Sequence, residues 1–84
     1  MNKNEANKHI GKICQEYRLK NNLTQNQVAE LTGLEPRHIS QIERGLSKGS
    51  IDTLIKLCNA YQITPDIILY DLLDEIYVSK KINI

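Results

Sequence analysis

The sequence predicts an all-α fold, a compact bundle of five short helices, and three observations carry that prediction. Helix start and stop signals recur roughly every ten to fifteen residues. Between them, apolar residues repeat at three- and four-residue spacing, as Ile10, Ile13, Cys14 and Tyr17 do. No stretch alternates apolar and polar residues for long enough to suggest a strand. At 84 residues the chain has room for one core. We therefore read residues 1–84 as a single domain with its core at about residues 6–69.

The first helix is expected over about residues 5–21, closed at Asn21 and Asn22 because asparagine tolerates the left-handed conformation that ends helices. The second opens with a capping box: Thr24 can accept from the backbone N–H of Gln27, whose side chain can reach back. Val28, Ala29 and Thr32 form its inward stripe, and Gly33 supplies the stop. After Leu34 and Glu35, Pro36 begins a third helix, at a position where a missing N–H costs nothing. That helix runs to Gly45.

The loop GLSKG follows, and Ser50 caps a fourth helix with Ile51, Leu54, Ile55, Leu57, Cys58 and Tyr61 on or near its apolar face. Thr64, Pro65 and Asp66 together signal the start of a fifth. This C-terminal helix, about 66–77, keeps an apolar pattern longer than a small core needs, and the tail 79–84 is expected to fray.

Composition narrows the function. With 40% hydrophobic and 25% charged residues, the chain is ordinary for a soluble domain. No apolar run approaches a membrane span, so no membrane partner is expected. The polar start MNKNEANKHIGK lacks the apolar segment of an export signal, which points to the cytoplasm. Cys14 and Cys58 lie inside apolar helical patterns and read as buried thiols rather than a disulfide. Neither the cysteines nor His9 and His38, both read as solvent-exposed, have partners at metal-ligand spacing, so no metal or other cofactor is expected. No catalytic constellation stands out, and the chain does not read as an enzyme. The net charge is only +1, but residues 66–77 carry Asp66, Asp71, Asp74 and Glu75 with no lysine or arginine. The remainder of the chain can therefore present a basic face.

The third helix is the unusual element. Two short helices joined by a tight turn at Gly33 make a helix-turn-helix, whose second helix enters the DNA major groove. On that helix Pro36, Arg37, Ser40, Gln41 and Arg44 share one face, and Ile39, Ile42 and Glu43 the other. Arginine can read guanine and glutamine adenine, each in bidentate fashion.

The stretch LTQNQVAELTGLEPRHISQIERG resembles the core of the Cro/repressor-type, or Xre, helix-turn-helix family. Leu23-Thr24-Gln25, Ala29, Gly33 and the run Ile39-Ser40-Gln41-Ile42-Glu43-Arg44-Gly45 carry the likeness. It extends through Ser50 and Leu54 to Cys58, and covers about residues 10–69. The resemblance implies a bundle of the phage-repressor DNA-binding type. It makes Arg37 and Gln41 the main base-reading residues, flanked by Pro36, His38 and Ser40. Gln25, Arg44 and Lys48 become phosphate contacts, with His38 also placed near phosphate, and Arg18 and Glu43 become a structural ion pair. The sequence departs from the pattern at Glu35, where a serine or threonine cap is usual, at Pro36, which offers a base only an apolar contact, and at Gly49, where a proline is common.

Together these features predict a sequence-specific transcriptional regulator, a repressor or controller protein, that binds a palindromic double-stranded operator as a homodimer. Leu69, Leu72, Leu73, Ile76 and Tyr77 are the expected dimer interface, since paired reading helices about 34 Å apart match two half-sites. The alternative from another class is a protein-interaction module, such as an antitoxin that sequesters a toxin partner through its acidic, apolar C-terminal helix.

Overall fold

The computed structural model describes residues 2–68. They form α1 (Lys3–Lys20), α2 (Gln25–Thr32), α3 (Pro36–Glu43) and α4 (Ile51–Tyr61). A fifth helix, α5, opens at Pro65 and is described to residue 68. Among the described residues there is no strand. The rest of the expected C-terminal helix to about residue 77, the expected tail 79–84, and the five expected interface residues Leu69, Leu72, Leu73, Ile76 and Tyr77 lie outside the described residues.

Local signals set the boundaries. Asn2 caps α1 by accepting from the Glu5 N–H at 2.9 Å, which moves the start ahead of the expected residue 5. Asn22 takes the left-handed conformation (φ 57°) just past the end of α1. The capping box of α2 is complete, with Gln27 N donating to Thr24 Oγ1 and Thr24 N donating to Gln27 Oε1. Ser50 caps α4 through the Thr53 N–H. α3 is shorter than the sequence suggested: it stops at Glu43, and Arg44 is its C-cap.

Each helix contributes to one core: Ile10 and Cys14 from α1, Val28 and Ala29 from α2, Ile39 and Ile42 from α3, Leu57, Cys58 and Tyr61 from α4, and Ile68 from α5. α3 packs on both α1 and α2, and α4 on α2 and α1. α1 and α3 approach closely at Gly11, where a β-carbon would collide with the carbonyl oxygen of Ile42 and lie 2.8 Å from that of Glu43. Any side chain there would push α1 off the end of α3. A second tie closes the far end of α1: the Asn21 amide donates to Tyr17 O at 2.8 Å and to Tyr61 O at 3.0 Å, joining α1 to α4.

Two sequence expectations fail on burial. Ile51 and Ile55, assigned to the apolar face of α4, are 78% and 45% exposed. The buried stripe of this helix is Thr53, Leu57, Cys58 and Tyr61, and Ile51 and Ile55 lie at its edge, on the rim of a groove they share with Leu54 and Cys58. His9 and His38, read as solvent-exposed, are instead half-buried. Cys14 and Cys58 are buried free thiols. Burial, with smaller contributions from Cys58 and Glu43, pushes the Cys14 thiol up to about 12.

Candidate nucleic-acid interface

The connection between α2 and α3 is short because each of its residues satisfies a local requirement. Gly33 sits at φ 77°, a left-handed conformation that glycine adopts without strain, and its N–H donates to Ala29 O at 2.8 Å. The Thr32 hydroxyl donates to Val28 O and accepts from the Leu34 N–H, turning the chain out of α2. Glu35 has the extended backbone of an N-cap, but its side chain makes no capping bond. The first turn of α3 is closed through the Glu35 carbonyl, which accepts from His38 N and Ile39 N. Pro36 at the first helical position has no N–H to satisfy.

α3 is divided lengthwise. Ile39 and Ile42 are buried against the core, whereas Pro36, Arg37 and Arg44 are exposed and Ser40, Gln41 and His38 are half-buried. Arg37, His38 and Gln41 share an open concavity with Gly33, Leu34 and Glu35, so three of the proposed contacts meet at the entrance to the helix. Lys48 stands exposed in the loop between α3 and α4.

Glu43 lies on the inner side of α3 with a side chain only 3% exposed. Its carboxylate receives a two-pronged contact from Arg18 of α1: Nε donates to Oε2 at 2.7 Å and Nη2 to Oε1 at 3.1 Å. Arg18 Nη1 also donates to the Leu23 carbonyl at 2.8 Å, just ahead of α2. The bond to Glu43 holds the Arg18 guanidinium charge more firmly than an isolated arginine's. Gln25, the first residue of α2, donates from Nε2 to Glu43 Oε1 at 3.2 Å. The ion pair and Gln25 thus form one cluster joining α1, α2 and α3.

Sequence reasoning missed Gly11 and Asn21 as positioning residues. Gly11 had a signal, a lone glycine inside an amphipathic helix, which often marks a close approach. The bond from Asn21 to Tyr61 had none, because it joins residues far apart in sequence. Also unanticipated is an apolar groove of about 670 Å³ between α1, α4 and α5, lined in part by Ala6, Ile10, Leu54, Ile55 and Ile68. Among the described residues, no group of histidine, cysteine, aspartate and glutamate side chains could hold a metal ion, and no helix is long and apolar enough to cross a membrane.

Comparison with known proteins places this geometry. The restriction–modification controller protein C.AhdI from Aeromonas hydrophila superposes with a TM-score of 0.71 at 29% identity, covering 74% of this chain and 94% of that one. The clp gene regulator ClgR from Corynebacterium glutamicum gives a TM-score of 0.75 at 19% identity, over 93% of this chain and 83% of that one. A point variant of the restriction–modification controller protein C.Esp1396I gives 0.71 at 22% identity, over 86% and 91%. At such identities the last two speak to the fold alone. No curated protein sequence matches the chain. Residues 15–68, more than half of the chain, match the family described as helix-turn-helix (HTH_3). The chain belongs to this helix-turn-helix family of DNA-binding transcriptional regulators, of the Cro/repressor or Xre type.

Proposed function

We propose that the protein is a sequence-specific regulator that lays α3 in the major groove of a palindromic operator and binds there as a homodimer. The observation that carries this reading is the division of α3, with two isoleucines buried while Arg37 and Gln41 face outward beside the turn. Arg37 and Gln41 read bases, with Pro36 and Ser40 flanking them. Gln25, His38, Arg44 and Lys48 contact phosphates and fix the register of the helix in the groove. The likeness to C.AhdI, a controller protein, supports a regulator of that kind.

A single domain of this size neutralises few phosphates, so pairing raises affinity by joining two half-sites. The expected interface at Leu69, Leu72, Leu73, Ile76 and Tyr77 remains part of the proposal. The exposed Ile51 and Ile55 beside the apolar groove are the observation within the described residues that favours a protein contact. That contact is where the antitoxin-like alternative, with a toxin in place of a second copy, makes a different forecast. Selection of bound fragments from random DNA tests the reading. Enrichment of a palindrome is expected, and a pool that stays random after repeated rounds would refute sequence-specific recognition. In sedimentation the purified protein should run as a homodimer, whereas a monomer that pairs only with a different chain would favour the alternative.

A further inference from the structure

Gln25 is the first residue of α2, and its amide is already engaged before any DNA arrives. Nε2 donates to Glu43 Oε1 at 3.2 Å. A primary amide has a carbonyl acceptor at one end and two N–H donors at the other, and the two ends are nearly equal in size. Its orientation is therefore set by what its neighbours can accept or donate. A carboxylate only accepts, so Glu43 holds the nitrogen end and leaves a second N–H uncommitted. Phosphate oxygens also only accept. An amide turned the other way would present lone pairs to a phosphate and repel it.

Glu43 is suited to this task because its own charge is answered. The Arg18 guanidinium meets both carboxylate oxygens, at 2.7 and 3.1 Å, and is itself fixed to the Leu23 carbonyl at 2.8 Å. A bare carboxylate beneath a phosphate site would oppose binding, whereas a paired one is close to neutral at the distance of a phosphate. The N-terminus of α2 adds partial positive charge at the same place.

We propose that Glu43 is a positioning residue for DNA-backbone recognition: it holds one N–H of the Gln25 amide and so directs the other toward a phosphate oxygen. This inference rests on the DNA-binding reading and deepens it, by giving an inward-facing carboxylate a part in presenting an outward contact. It also makes the last turn of α3 and the first residue of α2 a single unit, so base reading and phosphate contact share one register.

A double-mutant cycle on DNA binding tests the proposal. Gln25→Ala and Glu43→Gln are each expected to weaken binding about tenfold. The double variant should bind no more weakly than Gln25→Ala alone, because without the Gln25 amide there is no orientation left for the Glu43 carboxylate to set. Losses that multiply would give Glu43 a separate, structural role and overturn the proposal.

NMR of the wild-type protein decides the matter even if Glu43→Gln does not fold. In the free protein, one Gln25 side-chain amide proton should be displaced and slow to exchange, and DNA should shift the other. A Gln25 amide that behaves like that of a free glutamine before DNA is added, or two protons that respond equally to DNA, would refute the proposal. If the wild-type protein binds no DNA, the DNA-binding reading falls and the proposal with it. Multiplying losses on a protein that does bind remove only the role of Glu43.

Discussion

α3 and α4 each bury one face and expose another, and their exposed faces differ in chemistry. α3 buries Ile39 and Ile42 and turns Arg37, Gln41 and Arg44 outward. α4 buries Leu57, Cys58 and Tyr61, yet leaves Ile51 and Ile55 in contact with water. Solvated arginine and glutamine side chains incur no desolvation cost until they bind, and they then meet polar groups. Exposed isoleucine carries an unfavourable hydration free energy that any apolar neighbour relieves. The two surfaces therefore suit different partners. The α3 face suits a charged, hydrogen-bonding groove, and the α4 face suits protein.

The ion pair beneath α3 should give the largest effect. Arg18→Met leaves the Glu43 carboxylate buried without its cation, and we expect a loss of about 3 kcal/mol or more in urea unfolding. A loss below about 1 kcal/mol would mean that α3 is held mainly by its isoleucines.

Next come the outward residues of α3. Arg37→Ala and Gln41→Ala should each weaken specific binding by about 1–3 kcal/mol, relax base choice at one position per half-site, and leave thermal unfolding unchanged. Equal weakening on random DNA would move these residues from base reading to phosphate contact. Lys48→Ala should act on all sequences alike and reduce the salt slope of binding by about one. An unchanged slope would place Lys48 off the DNA.

On α4 the expectation reverses. Ile51→Lys combined with Ile55→Lys should change monomer stability by no more than about 0.5 kcal/mol, while sedimentation shows weaker self-association. A large drop in stability with assembly intact would show that these side chains serve the fold. The smallest effect is expected in the core that α3 and α4 share. Burial pushes the Cys14 and Cys58 thiols up, Cys14 to about 12, so both stay neutral at about pH 8. A thiol reagent should label the folded protein slowly and the unfolded protein at once. Fast labelling without denaturant would reveal opening of the core.

Much of this architecture was legible because it is local. The Thr24–Gln27 capping box, Gly33 at the turn, Pro36 at the start of α3 and Ser50 at the start of α4 are each specified by neighbours within a few residues. The inward placement of Glu43 followed from helical spacing, since it shares a face with Ile39 and Ile42. What escaped depends on which element lies opposite. Periodicity marks an apolar stripe but not its edges, so it puts Ile51 and Ile55 on or near the apolar face of α4 without showing that both stand largely exposed there. The need for glycine at residue 11 exists only because α3 ends against it, and the Asn21–Tyr61 bond joins residues 40 apart in sequence. The link from Gln25 to Glu43 was likewise invisible, because the resemblance treated the two residues separately.

The lengthwise division of α3 has an evolutionary consequence. Ile39, Ile42 and Glu43 meet the side-chain demands on this helix, whereas Ser40 and Gln41 take part in the described bonds at its end through their backbone carbonyls, which accept from Arg44 N and Leu46 N. On the proposed reading, side-chain substitution at Arg37, Ser40 and Gln41 disturbs the fold less than substitution at Ile39, Ile42 or Glu43, so a duplicated copy of the protein can change its base preference while its architecture stays under selection. Divergence in what is read then proceeds at a different rate from divergence in how the chain folds.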